Sequence, residues 1–178
     1  MRKPISSLEK WGWNSFFARQ IQHGEENLLP VRVVEVHRSG IRVVGPLIDV
    51  QIPRFSSGEG DWLIFDPRSQ RPVRMLERKS LFQRRAPGKA RKLQLIAANI
   101  DTLFIVTSCN KEFNPARLER YLALASEADV VPVIILTKAD LTENTDTYVQ
   151  EVNRLSPTLI VELVDARDPE SVAHLSGW

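Results

Sequence analysis

Three continuous apolar runs constrain this chain most: residues 101–107 (DTLFIVT), 130–136 (VVPVIIL) and 158–164 (TLIVELV). Runs of this length without polar alternation read as strands of a parallel sheet covered on both faces. The segments between them carry helical spacing. Asn114-Pro115 is a cap followed by proline at the first helical position, and Leu118, Leu122 and Ala125 line one face of the helix that follows. Tyr148, Val152 and Leu155 repeat at i, i+4 and i+7 in a second helix. Alternation of this kind calls for a parallel sheet with right-handed crossovers.

Residues 30–78 read differently. VRVVEVHRSGIRVV is two β-branched runs joined by His37-Arg38-Ser39-Gly40, a hairpin signal. PLIDVQIP, GDWLIFD and RPVRMLER follow, separated by turn residues that include Gly58 and Gly60. About five short strands in roughly 50 residues fit a small barrel such as an OB-fold, and an SH3-like barrel would give a similar pattern. Residues 1–29 form an N-terminal extension. Asn14 is placed to cap a short helix through Phe16, Phe17 and Ile21, and Trp11, Trp13, Phe16 and Phe17 are expected to pack against the next domain.

Charge separates the two halves. Residues 1–92 hold 18 Lys/Arg against 9 Asp/Glu, net +9, whereas residues 93–178 hold 6 against 13, net −7. The basic half is the one suited to nucleic acid. Much of its charge lies in RKSLFQRRAPGKARK (78–92), which has no acid and is broken by Pro87-Gly88. The expected organisation is extension 1–29, barrel 30–78, basic linker 79–94 and α/β domain 95–178.

The 178 residues are 43% hydrophobic and 26% charged, enough to bury a core. No apolar run approaches the ~20 residues of a membrane helix, and MRKPISSLEKWGW lacks the apolar stretch of a signal peptide. A cytoplasmic protein without membrane contact is expected. Cys109, the only cysteine, ends an apolar run and is expected as a buried thiol. His23, His37 and His174 show no metal-ligand spacing, so no metal site is expected. Neither a G-x-S-x-G elbow nor a Cys/His constellation is present for hydrolase chemistry.

The second apolar run closes on Thr137-Lys138-Ala139-Asp140. Ligands of open parallel sheets bind beyond the carboxyl ends of the strands. A carboxylate there matches guanine, whose N1–H and exocyclic amine are two donors on one edge. Adenine has no N1–H and would leave the carboxylate unpaired. The Lys138 stem is suited to lie over a flat base with its ammonium in water. The plainer alternative makes Asp140 the cap of a following helix.

A GTPase also needs a phosphate cradle, G-x-x-x-x-G-K-[ST]. The 178 residues contain no match. The one Gly-Lys, Gly88-Lys89, is followed by Ala90 and lacks a glycine at position 83. A γ-phosphate-sensing D-x-x-G is missing as well. Either the tetrapeptide is a coincidence, the phosphate site is lost, or the motifs run in permuted order with the guanine half first.

On several segments the sequence resembles a known family, the circularly permuted, ribosome small-subunit-dependent GTPases (RsgA/YjeQ-like). GDWLIFD resembles the family's Gly-Asp-Trp barrel strand, and the stretch from Leu76 to Arg85 its Arg-rich exit from the barrel. Ile96-Ala97-Ala98-Asn99-Ile100-Asp101 resembles its I-A-A-N-x-D lead-in to the GTPase domain, and Phe113 to Leu122 its following helix. Thr137-Lys138-Ala139-Asp140 falls where the family reads guanine. The resemblance implies an OB-fold barrel followed by the first part of a circularly permuted P-loop GTPase domain, with phosphate motifs and a zinc domain further on. It implies GTP with Mg²⁺ as ligand, small-subunit maturation as the process, and the small ribosomal subunit, its rRNA and GTP/GDP as partners of a monomer.

A chain ending before the phosphate loop is expected to hydrolyse no GTP alone. Guanine contacts fall to Thr137, Lys138, Asp140 and the backbone amide of Ala166. Thr137 replaces the family's usual Asn, keeping a hydroxyl and losing an amide donor, and Asp165 replaces a serine. Candidate rRNA contacts are Arg38, Arg42, Arg84, Arg85, Lys89, Arg91 and Lys92. The alternative function is a non-catalytic OB module for rRNA or single-stranded nucleic acid, with a structural α/β half.

Overall fold

A computed structural model of the chain describes residues 6–85 and 93–178. Two compact units result, Met1–Ile100 and Asp101–Trp178. Among the described residues no helix is long and apolar enough to cross a membrane.

The first unit opens with two short helices, α1 (Ser6–Glu9) and α2 (Ser15–Ala18). Asn14 caps α2, its side chain accepting from the Phe16 amide at 2.9 Å, and Ile21 falls outside the helix. Five antiparallel strands follow: β1 (Leu29–Val36), β2 (Gly40–Gly45), β3 (Ile48–Pro53), β4 (Trp62–Asp66) and β5 (Arg71–Met75). Their order is β3-β2-β1-β4-β5, and register shifts in the β1–β2 and β4–β5 pairings, each with an extra residue, on β1 and on β5, accompany the curl of the sheet into an OB-like half-barrel. A separate antiparallel pair joins β6 (Leu81–Arg85) to β7 (Leu93–Ala98). The stretch expected as a basic linker therefore contributes β6 and the opening residues of β7.

Both faces of β4 are buried, which explains its unbroken apolar sequence. Leu63 and Phe65 join Val31, Val33, Ile41 and Val43 on the concave side. Trp62 and Ile64 face the other way, onto Leu8, Trp13, Phe17 and Leu76. The Trp13 and Trp62 rings meet edge to face with centroids 4.8 Å apart. Trp13 and Phe17 thus pack against the sheet with Trp11 partly buried beside them, whereas Phe16 stays 36% exposed. Arg74 holds this segment on β5 through a two-pronged pair with Glu25 (2.7 and 2.8 Å).

Three segments that carry the family resemblance meet at one polar junction. Asp61 is fully buried, and its carboxylate accepts from the Gly58 amide (2.7 Å) and from Arg78 Nε and Nη2 (2.7 and 2.8 Å). Asn99 accepts from the Lys79 amide at 2.7 Å and donates to the Gly60 carbonyl at 3.1 Å. Gly60 has φ +88° and sits so close to Ala98 that an added Cβ would lie 1.9 Å from its carbonyl oxygen. Only glycine fits there.

The second unit is a three-stranded parallel sheet, β8 (Thr102–Ser108), β9 (Val131–Thr137) and β10 (Ile160–Val164), in the order β10-β9-β8. α3 (Pro115–Glu127) and α4 (Thr145–Leu155) connect the strands, with Asn114 capping α3 through the Arg117 amide at 3.0 Å. One sheet face, with Ile105, Ile134 and Leu136, buries Leu118, Val152 and the partly buried Leu122, Tyr148 and Leu155. Cys109 lies in this core, and burial pushes its thiol above the usual range.

The other face departs from the sequence expectation of double coverage. α5 (Pro169–Ala173) and the following turn reach Val133, Ile135 and Val164 through Val172 and Leu175. They do not reach the β8 edge, where Phe104 and Val106 stay 40% and 62% exposed.

Candidate functional site

The carboxyl ends of β9 and β10 bring two loops together. At the end of β9, the Thr137 hydroxyl donates to the Thr107 carbonyl at 3.1 Å, and the Thr137 carbonyl accepts from the Cys109 amide at 2.9 Å. The threonine hydroxyl thereby ties the loop to β8, a role open to it without an amide. Lys138 follows in the left-handed region (φ 58°, ψ 29°), which turns the chain into a single 3-10 turn over Ala139–Leu141. Its ammonium lies 3.6 Å from Glu112 in the β8–α3 loop.

Asp140 does not cap a helix. The residue at the N-cap of α4 is Asn144, and Asp140 instead faces the second loop. That loop leaves β10 at Val164 and is held by its own polar contacts. The Asp165 amide donates to the Ser171 hydroxyl at 3.0 Å, and Asp165 Oδ1 accepts from the Arg167 amide at 3.0 Å. The Arg167 guanidinium grips Asp165 with two prongs, Nε to Oδ1 and Nη2 to Oδ2, both at 2.9 Å. The same Nη2 reaches Asp140 Oδ2 at 2.5 Å. Arg167 holds the Asp165 carboxyl below the usual carboxylate range, and Asp165 with Asp140 raises the Arg167 pKa in return.

The site is therefore an exposed shelf with Lys138 on one side, Asp140 at the centre and Asp165–Arg167 opposite. Ala166 is exposed between Asp165 and Arg167, whose side chains bind each other. Chemically the shelf offers a carboxylate with one oxygen, Oδ1, without a hydrogen-bond partner among the described residues and the other bound to Arg167. Arg167 is the residue of this shelf that sequence reasoning missed. Its signal was present only as an arginine two positions after a carboxylate at a strand end.

The residues suggested for nucleic acid are scattered. Arg38 is exposed at the β1–β2 turn. Arg42 is occupied: Nε and Nη2 bind Asp49 at 2.7 and 2.8 Å, and Nη1 binds Glu35 at 2.7 Å. Arg84 and Arg85 lie on β6, while Lys89, Arg91 and Lys92 lie outside the described residues.

Comparison with known proteins converges on one family. The family model described as RsgA GTPase matches residues 75–177. The chain is 44% identical over 178 residues to the small ribosomal subunit biogenesis GTPase RsgA of Mesorhizobium japonicum, covering 97% of this chain and 51% of that protein. It is 43% identical over 176 residues to small ribosomal subunit biogenesis GTPase RsgA 2 of Vibrio parahaemolyticus, covering 96% of this chain and 49% of that one. The chain thus spans about half the length of the curated relatives it matches. Among solved structures, YjeQ from Thermotoga maritima superposes with a TM-score of 0.64 at 19% identity, over 84% of this chain and 56% of that one. YloQ, a circularly permuted GTPase, gives 0.59 at 19% identity, over 87% and 57%. At that identity the likeness speaks for the fold.

Proposed function

The chain belongs to the RsgA GTPase family, and we propose that it carries the guanine-recognising part of a GTP-hydrolysing factor for small ribosomal subunit maturation. The observation that carries this reading is Asp140. Its carboxylate stands at the carboxyl end of a parallel strand, off any helix cap, facing a second loop at the end of the neighbouring strand. The two donors of guanine pair with its two oxygens, the Lys138 stem covers the base, and the exposed Ala166 loop lies where a backbone amide can meet the base edge.

Phosphate binding and hydrolysis need groups that this guanine shelf does not supply. Magnesium bound with a nucleotide is held by one or two carboxylates together with the phosphates themselves, and the carboxylates of this shelf, Asp140 and Asp165, are both paired with Arg167. The shelf does not fit the ion. The 178 residues themselves are proposed to bind guanine nucleotide weakly and to turn over none.

Asp140→Asn tests the base reading. An asparagine at this position presents one acceptor and one donor, which suits xanthine, with a carbonyl in place of the exocyclic amine. GDP affinity, measured by calorimetric or NMR titration of the purified chain, is expected to fall roughly 10- to 100-fold. Affinity for the xanthosine diphosphate is expected to rise. An unchanged ratio of GDP to xanthosine diphosphate affinity removes Asp140 as the reader and favours the alternative of a structural α/β half.

The first unit is proposed to meet rRNA, supported by the +9 balance of residues 1–92. Arg42, Arg74 and Arg78 are engaged by acids, so the expected phosphate contacts shift to Arg38 and the basic stretch 84–92. Affinity for small-subunit rRNA is expected to drop about tenfold or more between 50 and 200 mM salt. A salt-independent affinity would refute phosphate-led binding.

A further inference from the structure

We propose that Arg167 is a latch on the guanine-reading carboxylate, anchored on Asp165 and holding Asp140 Oδ2 until a base displaces it. The inference rests on the reading of Asp140 given above and concerns how that site is gated. Guanine needs both Asp140 oxygens, yet Arg167 Nη2 already sits 2.5 Å from one of them. Nucleotide binding is then an exchange of one donor for another, and the carboxylate is paired on both sides of it.

The geometry suits a latch better than a fixed strut. The Arg167 side chain is 71% exposed, whereas Asp140 and Asp165 are 30% and 26% exposed. Two of its three guanidinium contacts are to Asp165, only two residues away, so releasing Asp140 leaves the anchor intact. Without Arg167 two carboxylates from neighbouring loops would face each other unpaired, which gives the arginine a role in the empty site even where it competes with the ligand. The latch also bears on selectivity. Guanine alone needs the oxygen that Arg167 holds and so bears the cost of opening the contact, whereas adenine, without N1–H, leaves the pair closed.

The test compares GDP and ADP binding to the full chain and to Arg167→Ala. Loss of one positive charge weakens both nucleotides through their phosphates, so the informative quantity is the GDP-to-ADP affinity ratio. An exposed ion pair of this kind predicts a rise in that ratio of about two- to fivefold. Arg167→Lys keeps the charge without the fork and is expected to fall between. A ratio that stays level or drops in Arg167→Ala overturns the latch and makes Arg167 a bystander or a contact to the nucleotide. If the wild-type chain shows no preference for GDP over ADP, and Asp140→Asn changes nothing, the guanine reading itself fails and the latch with it. A guanine-selective wild type with an unmoved Arg167→Ala ratio fails the latch alone.

Discussion

Asp61→Ala is expected to lower the unfolding free energy of the first unit by about 3–5 kcal/mol. Asp61 is fully buried and makes three hydrogen bonds, two of them to Arg78 and one to the Gly58 amide. Its removal leaves the Arg78 guanidinium, 27% exposed, without its counter-charge, and leaves a buried amide unmatched. The Arg78 pKa is raised, chiefly by its hydrogen bonds to Asp61, in keeping with a pair whose members stabilise each other's charge. Breaking one side of such a pair costs far more than the pair contributes net, because the surviving charge has already lost its water. A domain's whole stability is of the order of 5–15 kcal/mol, so the variant should unfold at much lower denaturant. Urea unfolding followed by tryptophan fluorescence checks this, since Trp11, Trp13 and Trp62 all lie in the first unit. A loss below about 1 kcal/mol would mean that Arg78 finds water or another acid. The double variant Asp61→Ala/Arg78→Ala is expected to be more stable than the Asp61→Ala single variant.

Trp62→Ala is expected to cost about 3–5 kcal/mol through a different route. Trp62 has no exposed surface and seats the N-terminal helices, with Trp13 and Phe17 against its ring at centroid distances of 4.8 and 5.8 Å. The Arg32 guanidinium lies 5.9 Å from the same ring. Truncation leaves a cavity that β4 cannot collapse, because Leu63 and Phe65 fix the strand from its other face. The Trp62 indole nitrogen has no hydrogen-bond partner among the described residues, so Trp62→Phe should cost clearly less than Trp62→Ala. Circular dichroism on denaturation reads both variants without relying on the deleted fluorophore. Equal costs for Phe and Ala would show that packing against Trp13 is not what holds the segment. Earlier proteolysis ahead of residue 29 in Trp62→Ala would show the N-terminal helices losing their seat.

Much of the fold was legible because it is written in short-range patterns. Alternating β-branched runs with turn residues give β1 to β5, and the hairpin at His37–Gly40 closes where the sequence puts it, the His37 amide donating to the Gly40 carbonyl at 2.8 Å. Asn114-Pro115 opens α3 as a cap-and-proline pair should. The strand pair β6–β7 was hidden because it depends on backbone pairing between residues of high charge, and charge without alternation reads as a linker. The uncovered edge of β8 was hidden too. An apolar run states that both faces are fit for burial, not that something in the same chain buries them.

The sequence by itself determined the two-unit architecture and the strands that build it, and it singled out Asp140 as the proposed reader of the base, because hydrophobic period, capping and turn chemistry act over a few residues. Asp140 stands out as a candidate from its place at the end of β9. Its partner does not, since Arg167 lies 27 positions away and meets it only because β9 and β10 are parallel, with Thr137 beside Val164. That register places both loops at one end of the sheet. The same holds for Asp61 and Arg78, and for Asn99 and Gly60, whose pairings follow from how β4, β5 and β7 are arranged. Which side chains become neighbours across such separations is decided by register and crossover, and these are fixed only when the whole core packs at once.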